Sequence, residues 1–302
     1  MTTPKFQRGT LNTFQPPEHI SKVSWSLRSV GRKVALVPTM GALHDGHREL
    51  LRRAKRLPNT VVAASIFVNP LQFGEGEDFE AYPRQLEADL ATLSEAGVEL
   101  AFTPKASDLY ADNAVVTLNP GPLGDELEGA VRPGHFAGVL TVVAKLFNLL
   151  RPDYAFFGEK DYQQLVLIKR MVADLNIDTR VIGVPTVRER DGLALSSRNV
   201  YLTPEQRQDA VVLSSALSAG AHVGRDGADA VLEMARKTLA ARPQVEVDYL
   251  ELRGTDLGPA PVDGEARLLV AARVGSTRLI DNAGVLLGKA VEHPSGDPDA
   301  GE

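Results

Sequence analysis

The feature that most constrains this chain is an alternation. Short apolar runs at residues 34–37, 60–68, 98–102, 154–157 and 180–184 are separated by stretches whose apolar residues recur at helical spacing. Runs of that length bounded by turn formers read as buried strands, and the stretches between them as covering helices. Ile20, Val23, Leu27 and Val30 mark a first helix that Gly31 ends, and Leu50, Leu51, Ala54 and Leu57 mark a second. Leu86, Leu90 and Leu93 mark a third, and Leu165, Ile168, Met171 and Leu175 a later one. Strand and helix in turn predict an α/β fold with a doubly wound, Rossmann-like parallel sheet.

Residues 136–150 read as a helix apolar nearly all round, broken by Lys145 and Asn148. Such a helix is buried on more than one side, either deep in its domain or against a second subunit. Past Pro185 the character changes, and residues 186–199 carry few helix or strand signals, which suits a hinge or mobile loop. Thr203-Pro204-Glu205 then opens a helix with a cap and a proline in its first turn. Alanine-rich helices run on to about 241, and extended segments follow at 245–252, 266–274 and 277–281. The reading is a first domain over 1–185, a smaller α+β C-terminal lid domain over 186–290, and a disordered tail over 291–302.

Charge narrows the classes of partner. With 33 basic and 39 acidic residues among 302, the net charge is −6, without the positive field that nucleic-acid binding requires. No cysteine is present, which excludes disulfides and thiolate metal sites and suits a reducing interior. The polar N-terminal stretch has no secretory apolar core, and no apolar run reaches membrane-spanning length. A cytoplasmic, soluble protein with no membrane partner is expected.

The first strand leads through Pro38-Thr39-Met40-Gly41-Ala42-Leu43 into His44-Asp45-Gly46-His47, where the second helix begins. A strand, a tight turn and a helix N-terminus make an anion site, because the first N–H groups of the helix have no partner inside it. Gly41 allows the bend, and Gly46 leaves a gap between the histidines where a flat ring could lie on bare backbone. The other reading of His44 and His47 is that they cap or solvate a helix start. Three further loops lie at strand ends, where ligands bind in open parallel sheets: 69–73, 158–161 and 187–198. Lys160 and Arg198 could hold a triphosphate, the histidines could donate to the same oxygens, and Asp161 could accept from a ribose hydroxyl. Lys160 before a helix opposes its dipole, which a bound phosphate would relieve. Taken alone, Gln72 and Gln164 read as exposed amides, Val142 and Val143 as core, and Arg198 as a solvated loop cation.

His44-Asp45-Gly46-His47 resembles the signature of the HIGH-motif nucleotidyl transferases. With Ser65-Ile66-Phe67-Val68-Asn69-Pro70-Leu71-Gln72-Phe73, Phe156-Phe157-Gly158-Glu159-Lys160-Asp161-Tyr162-Gln163-Gln164 and Leu195-Ser196-Ser197-Arg198-Asn199, the chain resembles the pantothenate synthetase family over about residues 34–282. Asp45 and Leu195 stand where glutamate and methionine are more usual, and a serine-arginine pair replaces the lysine of the second phosphate signature. The resemblance implies a ligase that joins pantoate to β-alanine through a pantoyl adenylate, with ATP as co-substrate, Mg2+ and a homodimer. It implies that Met40, Gly41, Ala42, Leu43, His44, Asp45, Gly46, His47, Gly158, Glu159, Lys160, Asp161, Val187, Leu195, Ser196, Ser197 and Arg198 surround ATP. His47, His44, Lys160 and Arg198 would be catalytic, with His47 as proton donor. Gln72 and Gln164 would hold pantoate and β-alanine, Met40, Phe67, Val142 and Val143 would enclose the gem-dimethyl group, and Asp89 would reach magnesium through water. The competing readings are a nucleotidylyltransferase that leaves the nucleotide on its product, and a nucleotide-binding regulator without turnover.

Overall fold

The computed structural model describes residues 6–288 apart from 75 and 113, so the tail expected to be disordered lies outside the described residues. Contacts divide the chain into two compact units: residues up to 190 together with 194–200, and 191–193 together with residues from 201 onward. Residues 186–190 and 194–200, expected in the second domain, thus belong to the first unit. The reason is local pairing: Leu195 N–H donates to Val187 O at 2.9 Å, and Asn199 Nδ2 donates to Ala194 O and Glu189 Oε1, both at 3.1 Å.

In chain order the first unit holds β1 (Asn12–Phe14), α1 (Pro17–Ser29), β2 (Lys33–Thr39), α2 (Asp45–Lys55), β3 (Thr60–Ile66), α3 (Leu86–Glu95), β4 (Leu100–Phe102), α4 (Ala106–Leu109) and α5 (Glu128–Val131). These are followed by α6 (His135–Leu150), β5 (Tyr154–Gly158), α7 (Tyr162–Asp174) and β6 (Arg180–Val184). The six strands lie in the order β1-β4-β3-β2-β5-β6, and every pairing is parallel. The expected Rossmann-like sheet is therefore present, with one strand more than the apolar runs announce. Strand β1 is Asn-Thr-Phe, too short and too polar to show a period, and it pairs with β4 at the sheet edge.

The middle of β2 is sealed, with Val34, Ala35, Leu36 and Val37 all 0% exposed. Ala35 and Val37 pack with Leu50, Leu51 and Ala54 of α2 and Leu93 of α3. Side chains alternate along a strand, so Val34 and Leu36 face the opposite side, where α1 and α6 lie over β2. Helix α6 is buried within this unit through Phe136, Val139, Leu140, Val143, Leu146, Phe147 and Leu150. Its apolar character is thereby explained without a second subunit. The chain leaves β2 for β3 on one side while β5 pairs on the other, which makes the C-terminal ends of β2 and β5 the switch point of the sheet.

The second unit holds α8 (Pro204–His222), α9 (Ala228–Leu239), β7 (Val245–Gly254), β8 (Gly264–Val274) and β9 (Thr277–Leu287), with the strands antiparallel in the order β7-β8-β9. Thr203 caps α8: its hydroxyl oxygen accepts from Gln206 N–H at 3.2 Å, and Gln206 Oε1 accepts from Thr203 N–H at 3.0 Å. Leu213, Leu217, Val231 and Ala235 of the helices close over Leu268, Val270 and Ala272 of β8. Strand β9 runs six residues beyond the expected 281, because the buried Asn282, whose Oδ1 accepts from Arg267 Nε at 2.7 Å, interrupts the apolar pattern and not the ladder. Among the described residues, no helix is long and apolar enough to cross a membrane.

Candidate active site

Where β2 ends, its last residue turns the chain. Thr39 Oγ1 donates to Ser65 O at 2.7 Å and accepts from Gly41 N–H at 3.3 Å. Gly41 and Ala42 both take positive φ, +87° and +51°, and Asp89 on α3 fixes the bend. Asp89 is 1% exposed, and its two carboxylate oxygens accept from Ala42 N–H at 3.0 Å and Leu43 N–H at 2.8 Å. A Cβ on Gly41 would fall 2.8 Å from one of those oxygens, so glycine serves both the backbone angle and the close approach of the carboxylate. The task the structure gives Asp89 is to hold this loop.

The two histidines then cap α2 reciprocally. His44 is the N-cap residue; its Nδ1 accepts from Gly46 N–H at 3.1 Å, and His47 Nδ1 accepts from His44 N–H at 3.2 Å. The ring centroids lie 4.2 Å apart. An imidazole that accepts at Nδ1 carries its proton on Nε2, so both rings are Nε2–H donors. Burial, reinforced by the neighbouring His44, pushes the His47 pKa down to about 3, and burial followed by the Lys160 charge lowers that of His44. Both rings are therefore neutral near pH 7. The gap beside Gly46 is filled by the His44 ring itself, since a Cβ there would stand 2.8 Å from His44 Cε1.

A cavity of about 240 Å³ opens at the switch point, lined entirely by residues of the first unit. Of the residues proposed from sequence, Met40, His44, Gly46, His47, Gln72, Gly158, Lys160, Asp161, Gln164, Val187, Leu195, Ser196, Ser197 and Arg198 line it, as do Phe67, Val142 and Val143. Gly41, Ala42, Leu43, Asp45 and Glu159 stand outside that lining. The first three form the turn that Asp89 grips, and Glu159 lies over Gly183 on β6. Lys160 sits in the 3-10 turn Glu159–Asp161 between β5 and α7, its Nζ 3.8 Å from Asp161 Oδ1.

Gln72 is 8% exposed and so is not the surface amide its residue type suggests. Its Nε2 donates to Met40 Sδ at 3.0 Å, and its Oε1 accepts from Asn69 Nδ2 at 3.1 Å. Asn69 is oriented in turn by Tyr110, whose hydroxyl donates to Asn69 Oδ1 at 2.8 Å. Arg198 is not a bare loop cation, because Asp78 accepts from its Nε and Nη2 at 3.0 and 2.9 Å.

Among the lining residues that sequence reasoning did not single out are four with polar side chains that make hydrogen bonds in or beside the cavity: Asn69, Tyr82, Arg132 and His135. His135 Nδ1 donates to Gln72 O at 2.8 Å, leaving Nε2 to accept from Arg132 Nη1 at 3.1 Å, and burial followed by the Arg132 charge pushes the ring down to about 4. Tyr82 OH lies 3.4 Å from Ser197 Oγ. Asn69 stands inside a motif already singled out, whereas the other three sit in turn-rich segments with no periodic signal.

Comparison with known proteins bears on the whole chain. A family profile described as pantoate-beta-alanine ligase matches residues 12–284. The chain is 63% identical to the pantothenate synthetase of Saccharopolyspora erythraea over 285 residues, covering 94% of each protein. It is 60% identical to that of Mycolicibacterium smegmatis over 286 residues, covering 95% of this chain and 91% of the relative. Among solved structures, the pantothenate synthetase of Thermus thermophilus superposes with a TM-score of 0.82 at 48% identity, over 90% of this chain and 99% of that one. The ligase from Francisella tularensis, complexed with beta-gamma ATP and beta-alanine, superposes with a TM-score of 0.76 at 35% identity, over 90% of this chain and 97% of that one.

Proposed function

The chain belongs to the pantoate-beta-alanine ligase family, and from that premise we propose that the first unit's cavity is where it joins pantoate to β-alanine at the expense of ATP. In the first step a pantoate carboxylate oxygen attacks the α-phosphorus, the bond to the bridging oxygen breaks, and pyrophosphate leaves. In the second, the β-alanine amine attacks the acyl carbon of the adenylate, AMP departs, and a proton is released to give pantothenate. One observation supports this placement above all: four separate motifs converge on a single cavity at the switch point of the sheet.

The roles follow from the chemistry. Negative charge grows at the phosphates as pyrophosphate separates, and preorganised donors stabilise it best. His44 and His47 offer neutral Nε2–H groups, and Lys160 and Arg198 offer cations. Gln72 and Gln164 hold pantoate through amides that both donate and accept, while Met40, Phe67, Val142 and Val143 receive its methyl groups. Magnesium is proposed with the triphosphate. Among the described residues no trio of His, Cys, Asp or Glu forms a cage, which fits an ion carried chiefly by phosphate oxygens and water. Asp161, in the lining, is the carboxylate that would hold it, because both Asp89 oxygens are committed to the loop. When bound, the ion neutralises phosphate charge.

We also propose a cytoplasmic homodimer. The lack of cysteine suits a reducing compartment, and Val115 and Val116, 87% and 83% exposed, are apolar side chains that an interface would cover. Sedimentation as a monomer at micromolar concentration would overturn the dimer. The reaction itself is tested by stoichiometry: AMP and pyrophosphate should appear one for one with pantothenate, and release of ADP would overturn the adenylate route.

A further inference from the structure

Glu77 and Asp78 are neighbours on the loop between β3 and α3, and each grips a cavity arginine by the same edge. Glu77 accepts from Arg132 Nε at 2.8 Å and Nη2 at 2.6 Å, and Asp78 accepts from Arg198 Nε at 3.0 Å and Nη2 at 2.9 Å. The arginines come from distant parts of the chain, 55 and 120 residues beyond their partners. Both line the cavity, whereas neither acid belongs to its lining. The carboxylates therefore stand behind the guanidinium groups. Two parallel hydrogen bonds fix the plane of a guanidinium as well as its position, which a single contact does not. Burial alone would raise both carboxyls, but the hydrogen bonds and charge of the arginines outweigh it and hold both below the usual range.

The two arginines serve different neighbourhoods. Arg198 follows Ser196 and Ser197, with its own N–H donating to Ser196 Oγ at 3.2 Å. Arg132 borders Gln72, donating from Nη2 to Gln72 O at 3.3 Å. We propose that Glu77 and Asp78 are the positioning pair of this site: Asp78 aims Arg198 at the nucleotide phosphates, and Glu77 aims Arg132 at the pantoate side beside Gln72. Neighbouring residues on one loop thereby set donor geometry for two substrates. The proposal rests on the assignment of this cavity to ATP and pantoate.

The test compares Asp78→Asn and Glu77→Gln, which keep size and one acceptor oxygen but lose the charge. KM is measured for ATP and for pantoate separately, with melting temperature alongside. Asp78→Asn should raise KM for ATP by about tenfold and leave KM for pantoate within about twofold, and Glu77→Gln should do the reverse, on the scale at which orienting partners of a binding group act. A loop that merely adheres would move both KM values together, with a lower melting temperature; that result, or no change in either KM, overturns the proposal. Wild-type protein run in parallel separates the two claims. If it forms AMP while the variants show no split, the positioning pair alone fails; if it forms no AMP, the functional reading fails and takes this one with it.

Discussion

His47 Nδ1 accepts the backbone N–H of His44 at 3.2 Å, and His44 in turn caps Gly46, so each ring's tautomer is set by the helix it starts. This cap takes up N–H groups that a helix N-terminus leaves unpaired, and it leaves the two Nε2–H groups outside the cap, on rings that line the cavity. Substituting His47 by alanine removes a cap and a donor at once. His47→Ala and Lys160→Ala should each cost ~3 kcal/mol of transition-state stabilisation, the scale of one oxyanion-type donor. Values of kcat/KM near wild type for either variant would contradict that role.

Gly46→Ala separates geometry from helix stability. Alanine ordinarily favours a helix over glycine by up to about 1 kcal/mol. Here its Cβ would stand 2.8 Å from His44 Cε1 and 2.9 Å from His44 Nδ1, forcing the ring off its cap. If the ring donates to the reacting phosphates, as proposed, the variant should lose activity by about tenfold or more while melting within a few degrees of wild type. Full activity would show that the ring position does not matter.

Adjacent glutamines on α7 should give opposite phenotypes. Gln163 is 3% exposed; its Nε2 donates to Leu123 O at 2.7 Å and Glu126 O at 2.9 Å, and its Oε1 accepts from Glu128 N–H at 3.0 Å. Gln163→Ala strands those backbone groups and should destabilise the protein by about 2–4 kcal/mol in chemical denaturation. Gln164, which lines the cavity, should leave stability unchanged on the same substitution and raise KM for pantoate. The same stability loss in both would contradict the assignment.

Acid should weaken the fold through its buried histidines. His47 and His135 titrate at about 3 and 4 in the folded chain, below the ordinary value of 6.5. The unfolded chain then binds more protons between those values, so stability is full above pH 6.5 and falls as pH drops toward 4. At pH 5 each ring should cost on the order of 2 kcal/mol. Urea midpoints at pH 7.5 and pH 5 measure this, and an equal or higher midpoint at pH 5 would contradict it.

The apolar runs of β2, β3, β4 and β5 were legible because a strand covered on both faces has to be apolar throughout. The cavity's long-range partners were not. Asp78 and Arg198 meet across 120 residues, and Glu77 and Arg132 across 55, and nothing in local spacing encodes either pair. Asp89 illustrates the same limit: acidic residues on helices are common, and only the fold shows this one buried with its oxygens on the amides of Ala42 and Leu43. Residues 186–190 and 194–200 fall in the first unit, against the division expected after 185, because they pair among themselves and, through Arg198, with Asp78.

The most direct test of the central claim is exchange of labelled pyrophosphate into ATP without β-alanine. If the cavity activates pantoate by adenylation, exchange requires pantoate, proceeds without the amine, and collapses in His47→Ala and Lys160→Ala. Exchange that proceeds without pantoate, or that appears only once β-alanine is added, would contradict the account.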